Sequence, residues 1–557
     1  MKSNFLLILF FISIWGNAQK KESALKISYE TFSNGKPTNS EPILVFTDAN
    51  QTILTNASII SKKASYPFEL SIINRPHWDT KSWSQLNEKQ AIETVDSIQI
   101  ENQKFTFSDE QKIILGYTCH KAVSIINSNT LEVWYTKSSG YWGSPTLLGQ
   151  ELGLVLEITR NGNFTIKVKS IEKIKQMPQE ALPPKVSTKA VNTLTYKDLI
   201  WKARFKTISV FKNEQICFSE TSKSNDSILK FANGTVIIRK IKFPEIKKGS
   251  QLFAELITQS NGDAYDRTGS VFVIPEDKKI SFLDGMKFGV NELPKYENNN
   301  SKKYQGVVAN SDFTPLVEIM RFFTPFGINH YNYIQLKDKT WHDKVSYRQD
   351  LSDLNDYLSN KELWVGVFIG NYDKGGHKVT LDFTIHNGEE NEIKTNQYIP
   401  LFNTTNVLEM AGQEYGTLFD SEEGLKVAFT IEKPLKNVRL RYITTGHGGW
   451  SNGDEFVPKK NTVLLNNEIV FSFTPWRTDC GSYRLYNPAS GNFSNGLSSS
   501  DYSRSNWCPG TVTYPIDIDL GDLPIGNHTI QIKIPQGKPE GGSFSSWNIS
   551  GILIGTE

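Results

Sequence analysis

The 557-residue chain has little cysteine, with four residues, and little methionine, with five. Cys119, Cys217, Cys480 and Cys508 form no pair at zinc-ligand spacing, which excludes a structural zinc module and a fold held by a dense disulfide framework. Charge of one sign is also lacking. Lys and Arg number 61 against 59 Asp and Glu, a net of +2, so no global field gathers nucleic acid or anionic membrane. Beyond the first residues no apolar run approaches the roughly 18 that a membrane helix needs, so no membrane insertion is expected. The 8 histidines include no H-x-x-x-H pair, and neither metal nor cofactor is expected. In contrast, aromatics make up 12%, a composition suited to β-sheets and to flat sugar-binding faces. Hydrophobic residues at 38% and charged residues at 22% exclude wholesale disorder. At roughly 150 residues per domain, the length allows three or four domains.

Lys2 precedes an apolar stretch at 5–15 and then Gly16-Asn17-Ala18, the layout of a signal peptide cut near Ala18. The mature chain is therefore expected to be soluble and exported, either periplasmic or secreted. Export permits disulfides. Cys480 and Cys508 flank an excursion rich in Gly, Ser and Asn, and a bridge there spares roughly 3 to 4 kcal/mol of loop entropy, so the two are expected to pair. Cys119 and Cys217 read as free, small buried hydrophobes.

Alternation at period two runs through Val379, Leu381, Phe383 and Ile385, then Leu425, Val427, Phe429 and Ile431, then Ile530, Ile532 and Ile534. Asn161-Gly162 between two such runs reads as a type I′ hairpin turn. Helical spacing is confined to short pieces at 81–94 and 350–358. The fold class is all-β, mostly antiparallel. A proline-bearing stretch without patterning at 176–192 reads as a linker after an N-terminal β domain at 19–175. A polar turn near 386–391 divides the remainder of the chain into two strand-rich blocks, 193–390 and 391–557.

Gly449-Trp450-Ser451-Asn452-Gly453 spells the nucleophile-elbow pattern, but that motif needs a helix after the serine, and Pro458 spoils one. In Asn261-Gly-Asp-Ala-Tyr-Asp-Arg267, Asp263 and Asp266 stand beside Tyr265 and Arg267. A carboxylate abutting a guanidinium stays ionised and oriented, as a base must be, and the aromatic neighbour offers a stacking face. A solvated acidic turn would have the same spacing. Downstream, Thr445 to Phe456 places Glu455 in a loop rich in glycine and aromatics, which alone decides nothing.

Together these stretches, with Ile319-Met-Arg-Phe-Phe-Thr-Pro325 and Arg504-Ser-Asn-Trp-Cys-Pro-Gly510, resemble the peptide-N-glycosidase F family over about 193–557. The added N-terminal domain resembles the family's type II subgroup. Parts of that domain, such as Leu152-Gly-Leu-Val155, loosely resemble exported GLPGLI proteins. The resemblance implies two consecutive eight-stranded antiparallel jelly rolls with the active site where they meet. It also implies hydrolysis of the amide joining asparagine to the first GlcNAc of an N-linked glycan, with N-glycoproteins and N-glycopeptides as substrates.

By the same resemblance Asp266 is the principal catalytic carboxylate and Glu455 the second. Tyr265, His447, Trp450 and Trp507 would line the sugar cleft with Asp263, while Arg267 and Arg504 fix carboxamide or sugar hydroxyls. The sequence departs from the family at three points. Two cysteines around the second acid are Gly453 and Val457 here, and a pair just before the catalytic aspartate is absent. A third acid, expected within 362–373, is replaced by apolar residues or glycine near Phe368, leaving Asp373 as the nearest carboxylate. Its loss implies a reshaped pocket at the first GlcNAc that accepts core α1,3-fucose. The alternative reading is a glycan-binding protein on the same jelly rolls without activity. A copper monooxygenase on tandem jelly rolls would need converging His and Met ligands that the sequence does not group.

Overall fold

The computed structural model describes residues 24–96, 98–331, 337–388, 395–448, 453–488 and 498–557. The expected leader at 1–18, Trp450, and the part of the elbow-like motif at 449–452 lie outside the described residues. No helix among the described residues is long and apolar enough to cross a membrane. The chain divides into two compact units, 1–204 and 205–557.

The first unit is built on one 13-stranded sheet in which strands adjacent in sequence are mostly adjacent in space. At Asn161-Gly162 both residues have positive φ, +50° and +71°, and the turn joins Leu154–Arg160 to Phe164–Ile174, the type I′ hairpin expected from the sequence. The stretch at 81–94 is not helical. It forms a hairpin of Asp79–Asn87 with Gln90–Asp96, in which Trp83 and Ala91 pack on Leu70. Short apolar runs satisfy either period, and pairing with Phe68–Asn74 settles this one as strand.

The stretch at 176–192 is packed rather than open. Met177, Ala181 and Leu182 lie with Phe46 and Ile53, and Thr188–Ala190 pairs in parallel with Gln90–Asp96. Helix Thr193–Ala203 comes next, capped by the Asn192 side chain accepting from the Thr195 N–H, and buries Tyr196 and Ile200 against Ile92. The helix thus belongs to the first unit, and the first jelly roll opens with strand Lys206–Ile216. Cys119 and Cys217 are free and buried.

The second unit holds two jelly rolls. In the first, Lys206–Ile216, His377–His386, Gln251–Ser260 and Lys344–Asp350 form one sheet. The facing sheet contains Val236–Lys242, Glu362–Ile369, Thr268–Ile274 and Val317–Phe323, edged by the short strand Leu229–Phe231. Val379, Leu381 and Phe383 alternate inward and pack against Val271, Val273 and Val365. In the second, Asn396–Asn403, Ser545–Thr556, Leu435–Gly448 and Ile516–Leu523 face Leu425–Ile431, Gly526–Lys533, Asn461–Leu465 and Glu468–Phe473. Val427, Ile530 and Ile532 lie in the core between them.

A buried ionic hub joins the two jelly rolls. Arg321, fully buried, grips Glu318 through Nε and Nη2 at 2.7 and 2.6 Å. Its remaining donors go to Thr405 Oγ1, Thr445 Oγ1 and the Asn548 carbonyl at 2.8–2.9 Å, all in the second jelly roll. Ser270 and Ser550 donate to Glu318 from either side at 2.8 and 2.6 Å. With every donor matched, the buried pair is tolerated, and it fixes the register of one jelly roll on the other. Val512–Thr513 then pairs with Val317–Phe323, so a segment of the second jelly roll completes a sheet of the first.

Candidate active site

Asp266 sits in the turn between Gln251–Ser260 and Thr268–Ile274. The turn is tied down at several points. Ser260 Oγ donates to the Asp263 carbonyl at 2.7 Å, His330 Nε2 lies 2.8 Å from the Gly262 carbonyl, and the Arg267 N–H donates to Thr324 Oγ1 while the Arg267 carbonyl accepts the Thr324 N–H. Asp263 is 1% exposed and forms a two-point ion pair with Arg267 at 2.7 and 3.0 Å. Burial acts to raise the Asp263 pKa, but hydrogen bonds from His377 and Arg267 outweigh it and hold the carboxyl well below the usual range. Asp263, expected in the sugar cleft, is therefore committed to orienting Arg267. The Arg267 guanidinium lies between the rings of Tyr265 and Tyr372, at 5.3 and 5.4 Å. Tyr265 and Tyr372 are each 54% exposed.

Glu455 comes after strand Leu435–Gly448, in a loop held by its neighbour Asp454. Asp454 is fully buried and accepts from Trp547 Nε1 at 2.7 Å and the Gly537 N–H at 3.0 Å, while Ser545 Oγ receives its N–H at 3.1 Å. This hub holds a loop whose flanking positions, Gly453 and Val457, carry no cysteine. Gly446 lies beneath it. A Cβ there would come within 2.9 Å of the Asp454 carbonyl and 2.8 Å of the Trp547 ring, so only glycine fits.

The two acids meet on Arg504. Its Nη1 lies 3.1 Å from Asp266 Oδ2 and also contacts Glu455 Oε1, while Nη2 donates to the Ser499 carbonyl at 2.7 Å. The Arg504 side chain is 1% exposed, and the acids are 13% and 18% exposed, so the ions share a nearly dry floor. Although Asp266 Oδ2 is within ion-pair distance of Arg504, it accepts a well-directed hydrogen bond from no described group. Burial raises both carboxyls against the pull of Arg504. Glu455 is raised to about 7, with the Asp266 charge adding to the shift, and Asp266 is raised as well.

Arg504 is braced from below. Trp507 stacks 4.2 Å from its guanidinium and on Phe323 at 4.3 Å, and donates through Nε1 to the Gly446 carbonyl at 3.0 Å. At 4% exposure Trp507 supports the arginine and offers no open face to a sugar. Burial, with Arg321 and Arg504 nearby, lowers the His447 pKa to about 3, so the ring is neutral, and its Nε2 meets Thr445 Oγ1 at 2.8 Å. His447 thus links the Arg321 hub to the site. Cys480 and Cys508 form the expected disulfide, with Cα atoms 5.1 Å apart, and close the loop that carries Arg504. Asp373 turns away from the acids, its Oδ1 accepting the N–H groups of Gly375 and Gly376 at 2.7 and 2.8 Å. Asp454 and the bridging role of Arg321 escape a reading of the sequence alone, since partners of each lie far along the chain or on another jelly roll. Among the described residues no group of three His, Cys, Asp or Glu side chains converges as metal ligands.

Comparison with known proteins places this geometry. Residues 207–385 match the family model described as peptide-N-glycosidase F, N terminal, and 414–554 its C-terminal counterpart. Residues 27–198 match the N-terminal domain of an N-glycanase. Two solved structures of PNGF-II, in C2 and P21 crystal forms, are each 52% identical, cover 96% of this chain and 98% and 99% of theirs, and superpose with TM-scores of 0.90 and 0.91. The chain belongs to the peptide-N-glycosidase F family. It is a hydrolase of that family, and its N-terminal unit places it with the longer members that carry the extra domain. PNGase F from Flavobacterium meningosepticum is 15% identical over 63% of this chain and 96% of its own, with a TM-score of 0.40. No curated protein sequence matches.

Proposed function

We propose that the chain is an exported glycoamidase that cleaves the amide between asparagine and the first GlcNAc of N-linked glycans. Water adds to the amide carbon, the C–N bond breaks, and aspartate and a glycosylamine result. The reading rests on Asp266 and Glu455, supplied by different jelly rolls, meeting on the single guanidinium of Arg504. Two raised carboxyls in one desolvated site hold one proton between them near neutral pH. The ionised Asp266, with Oδ2 available as an acceptor, takes a proton from the attacking water. The protonated Glu455 gives one to the departing nitrogen. Arg504 keeps the remaining negative charge in place, and Tyr265 and Arg267 border the sugar. Export rests on the N-terminal sequence at 1–18.

A mass-spectrometric digest of a defined N-glycopeptide tests this. The full chain converts Asn to Asp with glycan release, and Asp266→Asn slows release roughly a thousandfold, the range general acid–base catalysis supplies. Intact glycopeptide from the folded full chain would sink the proposal. The finer expectation concerns core α1,3-fucose. Strand Glu362–Ile369 is followed by Gly370, which has no side chain, and Asp373 points elsewhere; the carboxylate nearest Gly370 is Glu409, whose Oε2 would lie 3.2 Å from a Cβ at 370 and which comes from a different loop than the family's third acid. A plant glycoprotein digest should release fucosylated and unfucosylated glycans alike, and release of the unfucosylated set alone refutes the tolerance.

A further inference from the structure

The N-terminal unit carries a cleft of its own. It has a volume of about 400 Å³ and is lined wholly by residues of that unit, between helix Thr193–Ala203 and the helical turn Ile98–Glu101. The sheet forms its floor. Phe68–Asn74, Asp79–Asn87 and Gln90–Asp96 run side by side, and their register sets Ser71 opposite Ser82 and Ser82 opposite Thr94, so three hydroxyl side chains make one row across three strands. Side chains at i and i+2 of a strand share a face, which puts Glu69 and Asp96 at opposite corners of this row. One step along the same face, Ile92 packs under Tyr196 and Ile200. A sheet face that served only to be covered by a helix would stay apolar, whereas this one turns to hydroxyls and carboxylates inside a cleft.

Each acid is held by one oxygen. The Tyr196 hydroxyl donates to Glu69 Oε2 at 3.4 Å, and Asp96 Oδ1 accepts the N–H groups of Ile98 and Gln99 at 2.9 and 3.1 Å. The second oxygen of each accepts no hydrogen bond from a described residue. Lys197 and Arg204 on the lining balance Glu69 and Asp96, so the cleft has no net charge to select an ion. At its rim stands Trp201, 59% exposed, with the Arg204 guanidinium 5.7 Å from the ring. The chain forgoes the burial of its largest apolar side-chain type here, beside a floor of hydroxyls. We infer that this cleft is a carbohydrate-binding site, separate from the acids at 266 and 455, that takes a neutral oligosaccharide. The apolar face of one sugar ring stacks on Trp201, and sugar hydroxyls donate to the free oxygens of Glu69 and Asp96. Serine and threonine hydroxyls both donate and accept, as sugar hydroxyls do, and the row spans about 10 Å, two interstrand spacings, room for a disaccharide.

The test reads Trp201 directly and needs no turnover, so it stands whether or not the chain releases glycans. The full chain is labelled with 5-fluorotryptophan, the Trp201 fluorine resonance is assigned as the one missing from Trp201→Phe, and a free, neutral high-mannose N-glycan is titrated in. The Trp201 resonance should shift saturably. Glu69→Gln keeps the side-chain shape but removes the charge, and should weaken the binding seen at Trp201 about tenfold, the loss of one charge-assisted hydrogen bond. Asp266→Asn should leave that Kd unchanged. A Trp201 resonance unmoved at millimolar glycan overturns the inference, as does equal Kd in folded Glu69→Gln. A Kd that moves with Asp266→Asn overturns it too, since the effect would then originate at the other site. If Glu69→Gln does not fold, Asp96→Asn takes its place with the same expected loss, and equal Kd there refutes the site.

Discussion

A carboxyl raised by burial binds its proton more tightly in the folded chain than in the unfolded one, and this gives Glu455 a definite signature. Its contribution to stability is fully present below its ordinary value of 4.5 and is lost as pH rises toward about 7. Asp263, held low by His377 and Arg267, has the opposite sign. Its contribution is present above its ordinary value of 3.8 and is lost as pH falls below that. Thermal melts of Glu455→Gln between pH 4.5 and 7 should therefore show a flatter loss of Tm with rising pH than wild type, and a parallel slope would refute the raised carboxyl. The two acids, the arginine and their flanking aromatics were legible as local motifs. Asp454 was not. In the sequence it is one more polar loop residue, and only the fold brings Trp547 and Gly537 to its carboxylate.

At the scale of elements, the loop closed by Cys480–Cys508 presents Arg504, and its span of 28 residues sets what the bridge contributes. Replacing both cysteines by alanine should lower stability by about 3 to 4 kcal/mol in urea titration, the loop entropy returned to the unfolded chain. Glycan release should fall as well, because Arg504 loses one of its restraints, whereas unaltered kinetics would show that its remaining contacts, to Trp507, Ser499, the two acids and the Arg477 backbone, suffice to hold it. The strands were readable wherever one face met solvent, as at 377–386 and 425–431, because alternation then records the pleat. The hairpin at 79–96 was misread because its apolar residues fit both periods and the deciding partner, Phe68–Asn74, contributes through pairing rather than spacing. Helix Thr193–Ala203 was missed since its apolar stripe is weak, with only Tyr196 and Ile200 buried. The stretch before it looked open because prolines mask how well Ala181 and Leu182 pack.

For the molecule as a whole, the residues around the cleft come from far-separated stretches of chain, and two devices bring them together. One is the Arg321–Glu318 hub, the other the strand Val512–Thr513 lent by the second jelly roll to the first. Neither device is visible in any local window of sequence, since Arg321 reads as one cation in an apolar run until the second jelly roll supplies Thr405, Thr445 and Asn548. The order of the strands carries a further implication. Ser545–Thr556 does not lie at an edge but is inserted between Asn396–Asn403 and Leu435–Gly448, and Trp547 on it donates to Asp454, the anchor of Glu455. Synthesis must therefore deliver residue 556 before residue 455 has a fixed place. Asp266 and Glu455 are therefore kept apart in every nascent intermediate, and the pair assembles in one step with the last strand.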